Sequence, residues 1–197
     1  SFAILRREII TPLAERITQV EAVHTVSLAI TSHIALNKVL DQIALKAADW
    51  LNADASGIFL TSGEGIELVT VYNLPSNALR TRLAMGEGIA GKVAVTQQSI
   101  YVENYGRDWK AAPDLPFARE TFGSVISVPL VYSGSTIGVL IVIAGRQSRL
   151  FQKQDAQLLE LLAAQAAVAI AHSRLFAEQE RLTRQVEASH NQLETVL

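Results

Sequence analysis

The chain has 197 residues, 49% of them hydrophobic, with 17 Lys and Arg against 19 Asp and Glu and a formal net charge of -2. That balance is too poorly basic to track a phosphate backbone, which argues against nucleic acid as a direct partner. The absence of cysteine excludes disulfides, thiolate nucleophiles, Cys-ligated zinc and any thioether-linked cofactor, and it fits a reducing compartment.

The first segment reads as helix. Pro12 suits a helix start or a kink, and Leu13, Ile17, Val20, His24, Ser27, Thr31 and Ile34 then step at helical spacing. A second amphipathic helix is carried by Val39, Leu40, Ile43, Ala47, Trp50 and Leu51, with Asn37 as a candidate N-cap or the neighbour of one. The pattern then changes to strands over 56–61 and 66–72, around the hairpin-like Ser62-Gly63-Glu64-Gly65. A short strand at 83–85, a short helix over 89–95 and a strand at 99–102 follow. A polar loop over 103–123 carries Trp109, Pro113, Pro116 and Phe117. The near-continuous apolar runs 124–132 and 136–144 predict a central strand pair covered on both faces.

A long helix is predicted from about Gln154. Leu158, Leu161, Gln165, Val168, His172, Leu175, Gln179, Leu182, Val186, Ser189, Leu193 and Val196 step 3, 4, 3, 4 along it without Pro or Gly. This heptad seam calls for a partner helix, and at about 1.5 Å per residue it is roughly 60 Å long. Its polar a positions, Gln165, His172 and Gln179, are more than register requires and suggest a weak seam with two packings close in energy. The order of elements gives an α+β fold, with helices on one sheet face and a loop-lined cavity on the other.

The apolar stretches 137–144 and 163–171 read as too short to span a bilayer, and Arg6 and Arg7 precede no apolar run of a signal peptide. The start at Ser1 without Met and the stop inside a heptad suggest a piece of a longer protein, with any membrane anchor outside it.

Gly86-Glu87-Gly88-Ile89-Ala90-Gly91-Lys92-Val93-Ala94, Ser99-Ile100-Tyr101-Val102, Gly123-Ser124-Val125-Ile126-Ser127-Val128-Pro129-Leu130, Ile137-Gly138-Val139-Leu140 and Phe151-Gln152-Lys153-Gln154-Asp155, in this order, resemble a GAF domain. The type is that of bacterial sensor histidine kinases and other multidomain signalling proteins. The likeness covers roughly residues 23–175. It implies an antiparallel sheet of five or six strands with helices on one face, flanked by long N- and C-terminal signalling helices. It also implies a small-molecule pocket under the 103–123 loop, dimerisation through the terminal helices, and regulation in place of catalysis. The resulting division is a signalling helix at 1–22, the GAF domain at 23–175 and a coiled-coil helix at 176–197 leading to an output domain in the same chain. The setting expected is cytoplasmic, in a parent that can itself be membrane-anchored, with no direct membrane contact by this segment.

Several motifs invite a sharper reading. Gly86-x-Gly88-x-x-Gly91 fits the dinucleotide fingerprint by letters, but the helix after it is too short, so it reads as a glycine turn before a short helix. No Gly-Lys-Ser/Thr follows, so Walker-type ATP binding is out. Arg7-Glu8-Ile9-Ile10-Thr11-Pro12-Leu13 looks like a phosphoacceptor box with Arg7 where the histidine would stand, and Arg cannot accept the phosphoryl group. His24, His33, His172 and His190 show no metal-site spacing, and no catalytic residues are assigned. In the loop, Trp109 and Phe117 can either stack on a ligand ring or close the core, while Arg107 and Arg119 can hold an anion. The candidate ligand-binding set is Tyr105, Arg107, Asp108, Trp109, Phe117, Arg119 and Ser127. Phe151-x-x-x-Asp155 resembles the end of the motif of cyclic-nucleotide-binding GAF domains, but Ala156 replaces its last acid and no Asn-Lys precedes it. Without cysteine, covalent bilin attachment and methionine-sulfoxide reduction are both excluded. The expectation is a non-catalytic sensory or relay module, a homodimer that binds a small molecule or passes on an upstream signal. The rival reading is a dimerisation scaffold without a ligand.

Overall fold

The computed structural model describes residues 36–194, with side chains continuous through Phe176. The candidate N-terminal helix, the Arg7 box, His24 and His33 lie outside the described residues. The chain divides into a compact unit of residues 36–175 and a second unit formed by residues 1–35 and 176–197.

The elements of the compact unit, in chain order, are α1 (Leu36–Trp50), β1 (Ala55–Ser62), β2 (Gly65–Tyr72), a 3-10 turn (Ser76–Ala78), β3 (Arg82–Ala84), α2 (Gly88–Thr96), β4 (Ile100–Val102), α3 (Tyr105–Asp108), α4 (Ala118–Thr121), β5 (Phe122–Tyr132), β6 (Ser135–Gly145) and the start of α5 (Lys153–Glu194). The strands form one six-stranded sheet in the order β3-β2-β1-β6-β5-β4, antiparallel at every neighbour. This is the expected α+β sheet, with ends shifted by one or two residues. Asn37 is not itself the cap but lies within the first described turn of α1. The 103–123 segment, whose Pro and Gly content reads as loop, carries two single helical turns.

The strand pair β5–β6 is central because its side chains are apolar on both faces. Ile126, Val128, Leu130, Leu140, Val142 and Ala144 face α1 and α5 in one core. Val125, Val139, Ile141 and Ile143 face α2 and the 103–121 segment in another. Alternation along a strand does this: neighbours one residue apart point to opposite sides. β4 begins at Ile100, opposite Ser127, and does not extend along β5 beyond that residue. Past that point β5 is an edge, where Pro129 is tolerated.

On the helix-covered face, α5 contributes Ala156, Leu159, Ala163, Ala166, Ala167 and Ile170. The alanines let the helix lie close on the sheet. The start of α5 is fixed by Asp155, three residues past the N-cap Gln152, whose carboxylate accepts the Gln152 N–H at 2.7 Å and an Arg149 N–H at 2.6 Å. This is half of a capping box. Arg149 also donates to the Leu51 carbonyl at 2.7 Å, tying the end of α1 to the start of α5. With Phe151 buried in the same core, the Phe151-x-x-x-Asp155 pattern has a structural explanation in this chain.

The same helix corrects one expectation. The segment Lys153–Phe176 is long and apolar enough, by length and composition, to cross a membrane, although the run 163–171 alone is not. A third of that window is buried within the fold, because one side of the helix is committed to the sheet.

Candidate functional site on the loop-covered face

The second face of the sheet is closed by α2 and by the segment between β4 and β5. The glycine turn before α2 needs its glycines for space and backbone. Gly86 and Gly88 both have positive φ, +87° and +66°, where a side chain is strained. A Cβ on Gly91 would lie 2.6 Å from the Ala84 carbonyl oxygen. The pattern serves a tight turn against β3, as its sequence suggests.

At the amino end of α2 sits Asp114, which no sequence motif singles out. It is fully buried. One carboxylate oxygen accepts the Ala90 N–H at 2.7 Å, and the other accepts the Tyr105 hydroxyl at 2.7 Å. The same hydroxyl oxygen accepts the Asp114 N–H at 2.9 Å. A carboxylate thus neutralises the positive end of a helix from 24 residues away. Burial pushes the Asp114 carboxyl above the usual carboxylate range, against the opposing pull of the Ala90, Tyr105 and Ile89 donors. Burial likewise raises the Tyr105 hydroxyl, reinforced by the charge of Asp114. The sequence signal is thin: Asp114 is the only acid between Pro113 and Pro116 in a segment that must order itself without regular structure.

The seven candidate residues divide into distinct settings. Tyr105 and Trp109 are core residues. Tyr105 meets Phe122 edge-on at 5.4 Å, and half-buried Phe117 meets the same ring at 6.0 Å. Trp109 donates its indole N–H to the Ala112 carbonyl at 2.9 Å and carries the Lys92 ammonium 5.4 Å from its ring. Arg107 and Asp108 are exposed and paired with each other at 2.6 and 3.0 Å. The contact lowers the Asp108 carboxyl and raises the Arg107 guanidinium. The Arg119 guanidinium donates to the carbonyls of Trp109 at 2.9 Å and Ala111 at 2.5 Å, clamping the middle of the segment. Ser127 stands apart on β5, buried, its hydroxyl without a partner in the described fold.

Between the sheet and the segment, the space is filled by Tyr105, Trp109, Leu115, Ala118 and Phe122. Outside the segment lies a recess of about 470 Å³ lined by Arg107, Arg119, Arg146 and Glu103 among others. The structure therefore separates the aromatic from the cationic candidates. Arg146, just past β6, is an addition that a reading confined to the loop could not make. Among the described residues, no three His, Asp or Glu side chains gather as a metal site.

The opposite side of α5 is also informative. Leu158, Leu161, Val168 and Leu175 are 39%, 68%, 40% and 61% exposed, and Gln165 and His172 are exposed with them. At 100° per residue these positions lie about opposite the sheet-facing alanines, except that the His172 ring still reaches Tyr132 at the end of β5, edge-on at 6.4 Å.

Comparison with known proteins gives a consistent result. The family profile described as "GAF domain" matches residues 33–171. Among solved structures, the GAF domain of an Acinetobacter phosphoenolpyruvate-protein phosphotransferase is similar at 25% identity and a TM-score of 0.65, covering 80% of this chain and 95% of that one. The GAF domain of a Coxiella burnetii phosphoenolpyruvate-protein phosphotransferase aligns with a TM-score of 0.67 at 21% identity, over 81% and 96% of the two chains. A probable 3',5'-cyclic phosphodiesterase of Caenorhabditis elegans, pde-5, is 22% identical over 156 residues, 73% of this chain. This chain spans only 21% of the length of that relative.

Proposed function

This chain belongs to the GAF domain family, and on that footing we propose that it is a non-catalytic relay module of a multidomain signalling protein, working as a homodimer through its long helix. GAF domains occur in signalling proteins and are generally regulatory. The observation that carries the reading is the apolar stripe on α5: Leu158, Leu161, Val168 and Leu175 are spaced 3, 7 and 7 residues apart and turned away from the sheet. Exposed leucines at this spacing favour a second helix in left-handed packing. A signal reaching the domain would shift how two such helices pack, and residues 176–197 would carry the shift to an output domain such as a histidine kinase core. Gln165 and His172 in the stripe would keep the two packings close in energy.

Multi-angle light scattering of the chain at micromolar concentration tests this. The expected mass is twice 21.4 kDa. A strictly monomeric mass across the concentration range would refute the helix-mediated dimer.

A second reading, a small-molecule sensor with its ligand beneath the 103–123 segment, is supported by Trp109 and Phe117. It would require Trp109 or Asp114 to leave its place, since the interior is packed by the chain's own residues. That packing favours relay of a signal received from elsewhere in the parent protein.

A further inference from the structure

The recess outside the segment has features that the relay reading does not use. Arg119 and Arg146 both line it, and both are held by neutral partners. Arg119 is bound to the Trp109, Lys110 and Ala111 carbonyls, which leaves its Nε–H and one Nη1–H to donate, and Arg146 donates to the Arg119 carbonyl at 2.5 Å. Among the described residues, neither forms an ion pair with a carboxylate. Carbonyl acceptors orient a guanidinium without cancelling its charge, and each guanidinium has five N–H donors. Arg107 adds a third guanidinium, already matched by Asp108. Glu103 is the carboxylate lining the recess.

From this arrangement we propose that the recess binds the phosphate group of a small phosphate monoester, with Arg146 and Arg119 as the principal donors and Arg107 at the rim. A phosphate monoester supplies close to two negative charges and three acceptor oxygens, which suits two orientationally fixed guanidinium groups better than a carboxylate does. Gly106 leaves room for the contact that holds Arg146: a Cβ there would stand 3.2 Å from the Arg119 carbonyl oxygen and 3.3 Å from the Arg146 Nη2. Glu103 and Asn104, also lining the recess, can accept or donate hydrogen bonds to the rest of the molecule. The site joins three parts of the chain: the β4–α3 turn, α4, and the stretch from Arg146 to Leu150 that leads into α5. A bound phosphate would draw these together at the foot of the long helix. Binding itself does not depend on the relay reading and is measurable on this chain alone.

The test is a titration of the full chain with inorganic phosphate, followed by the arginine Nε–Hε NMR signals, with acetate at matched ionic strength as the second arm. Saturable shifts at Arg119 and Arg146 are expected with phosphate and not with acetate. Arg146→Gln, at an exposed position, should weaken binding about tenfold or more while leaving the amide spectrum of the sheet unchanged. Gly106→Ala should weaken binding as well, and Arg107→Gln should do so least. Shifts that track ionic strength without saturating, equal responses to acetate, or unaltered binding in Arg146→Gln would each overturn the assignment. Should Arg146→Gln disturb the fold, Gly106→Ala decides alone.

Discussion

The two faces of the sheet are built by different chemistry. The face under α1 and α5 is mostly aliphatic, with Leu, Ile, Val and Ala packed around the buried ring of Phe151; its polar ties, such as the Ser56 hydroxyl donating to the Ala44 carbonyl at 2.6 Å, join elements by single bonds. The face under α2 and the 103–121 segment is also apolar in bulk. It nevertheless contains a buried carboxylate, a buried phenol and an arginine clamp that substitute for regular structure. A helix satisfies its own backbone, so it needs only an apolar stripe to dock. An irregular segment must find partners for its backbone one group at a time. Asp114 and Arg119 supply them, which makes that face specific in geometry and sensitive to single substitutions.

The largest expected effect falls on the helix-covered face. Phe151→Ala should cost about 3–5 kcal/mol, because a fully buried aromatic leaves a cavity under the start of α5. Chemical denaturation measures it, and a loss under about 1 kcal/mol would break the contrast between the faces.

On the loop-covered face, Asp114→Ala strands the Ala90 N–H and the Tyr105 hydroxyl, so a loss of about 1–3 kcal/mol is expected. Faster hydrogen exchange should be confined to α2's first turn and the 103–121 segment. Unchanged exchange there would show that the carboxylate does not hold the segment.

A smaller and more diagnostic effect concerns pH. The Asp114 carboxyl is raised in the folded state above its ordinary value of 3.8. A carboxyl raised on folding binds its proton more tightly in the native state. Its contribution is therefore most favourable at low pH and declines as pH rises through the folded-state value. Relative to Asp114→Asn, the wild-type chain should lose stability as pH climbs from about 3.8 toward neutrality. Tyr105, whose hydroxyl is raised above its ordinary value of 10.0, keeps its proton throughout this range and adds no titration of its own. A difference that grows in the opposite direction would mean that the hydrogen bonds outweigh burial.

The smallest effect belongs to the stripe on α5. Replacing Gln165 and His172 with Leu should stabilise a dimer by roughly 1 kcal/mol per site. Part of the gain at His172 is offset by losing its edge-on contact with Tyr132 at 6.4 Å. A melting temperature that falls, or that shows no dependence on chain concentration, would argue that these residues face no partner.

The sheet and its longer helices were legible in the sequence because periodicity reports burial directly. The runs around 124–132 and 136–144 are apolar at nearly every position, and their strands are covered on both sides. The α5 stripe was legible for the same reason. The site was less so. Trp109, Phe117, Arg107 and Arg119 stand close in sequence, yet the two aromatics turn into the core and the two arginines line an outer recess. Residue type alone could not predict that division, since it depends on which backbone carbonyls the segment leaves unpaired. Asp114 and Arg146 escape a sequence reading because their significance is tertiary: one meets an amide 24 residues away, the other a carbonyl 27 residues away.

The absence of cysteine makes the most direct test of the helix-mediated dimer clean. Single cysteines are introduced at Leu161 and Val168, on the stripe, and at Glu160, exposed but one step off it, and disulfide cross-linking is followed in solution. The relay account predicts rapid cross-linked dimers from Leu161→Cys and Val168→Cys and little from Glu160→Cys. Equal or greater cross-linking at Glu160, or none at any of the three, would contradict it.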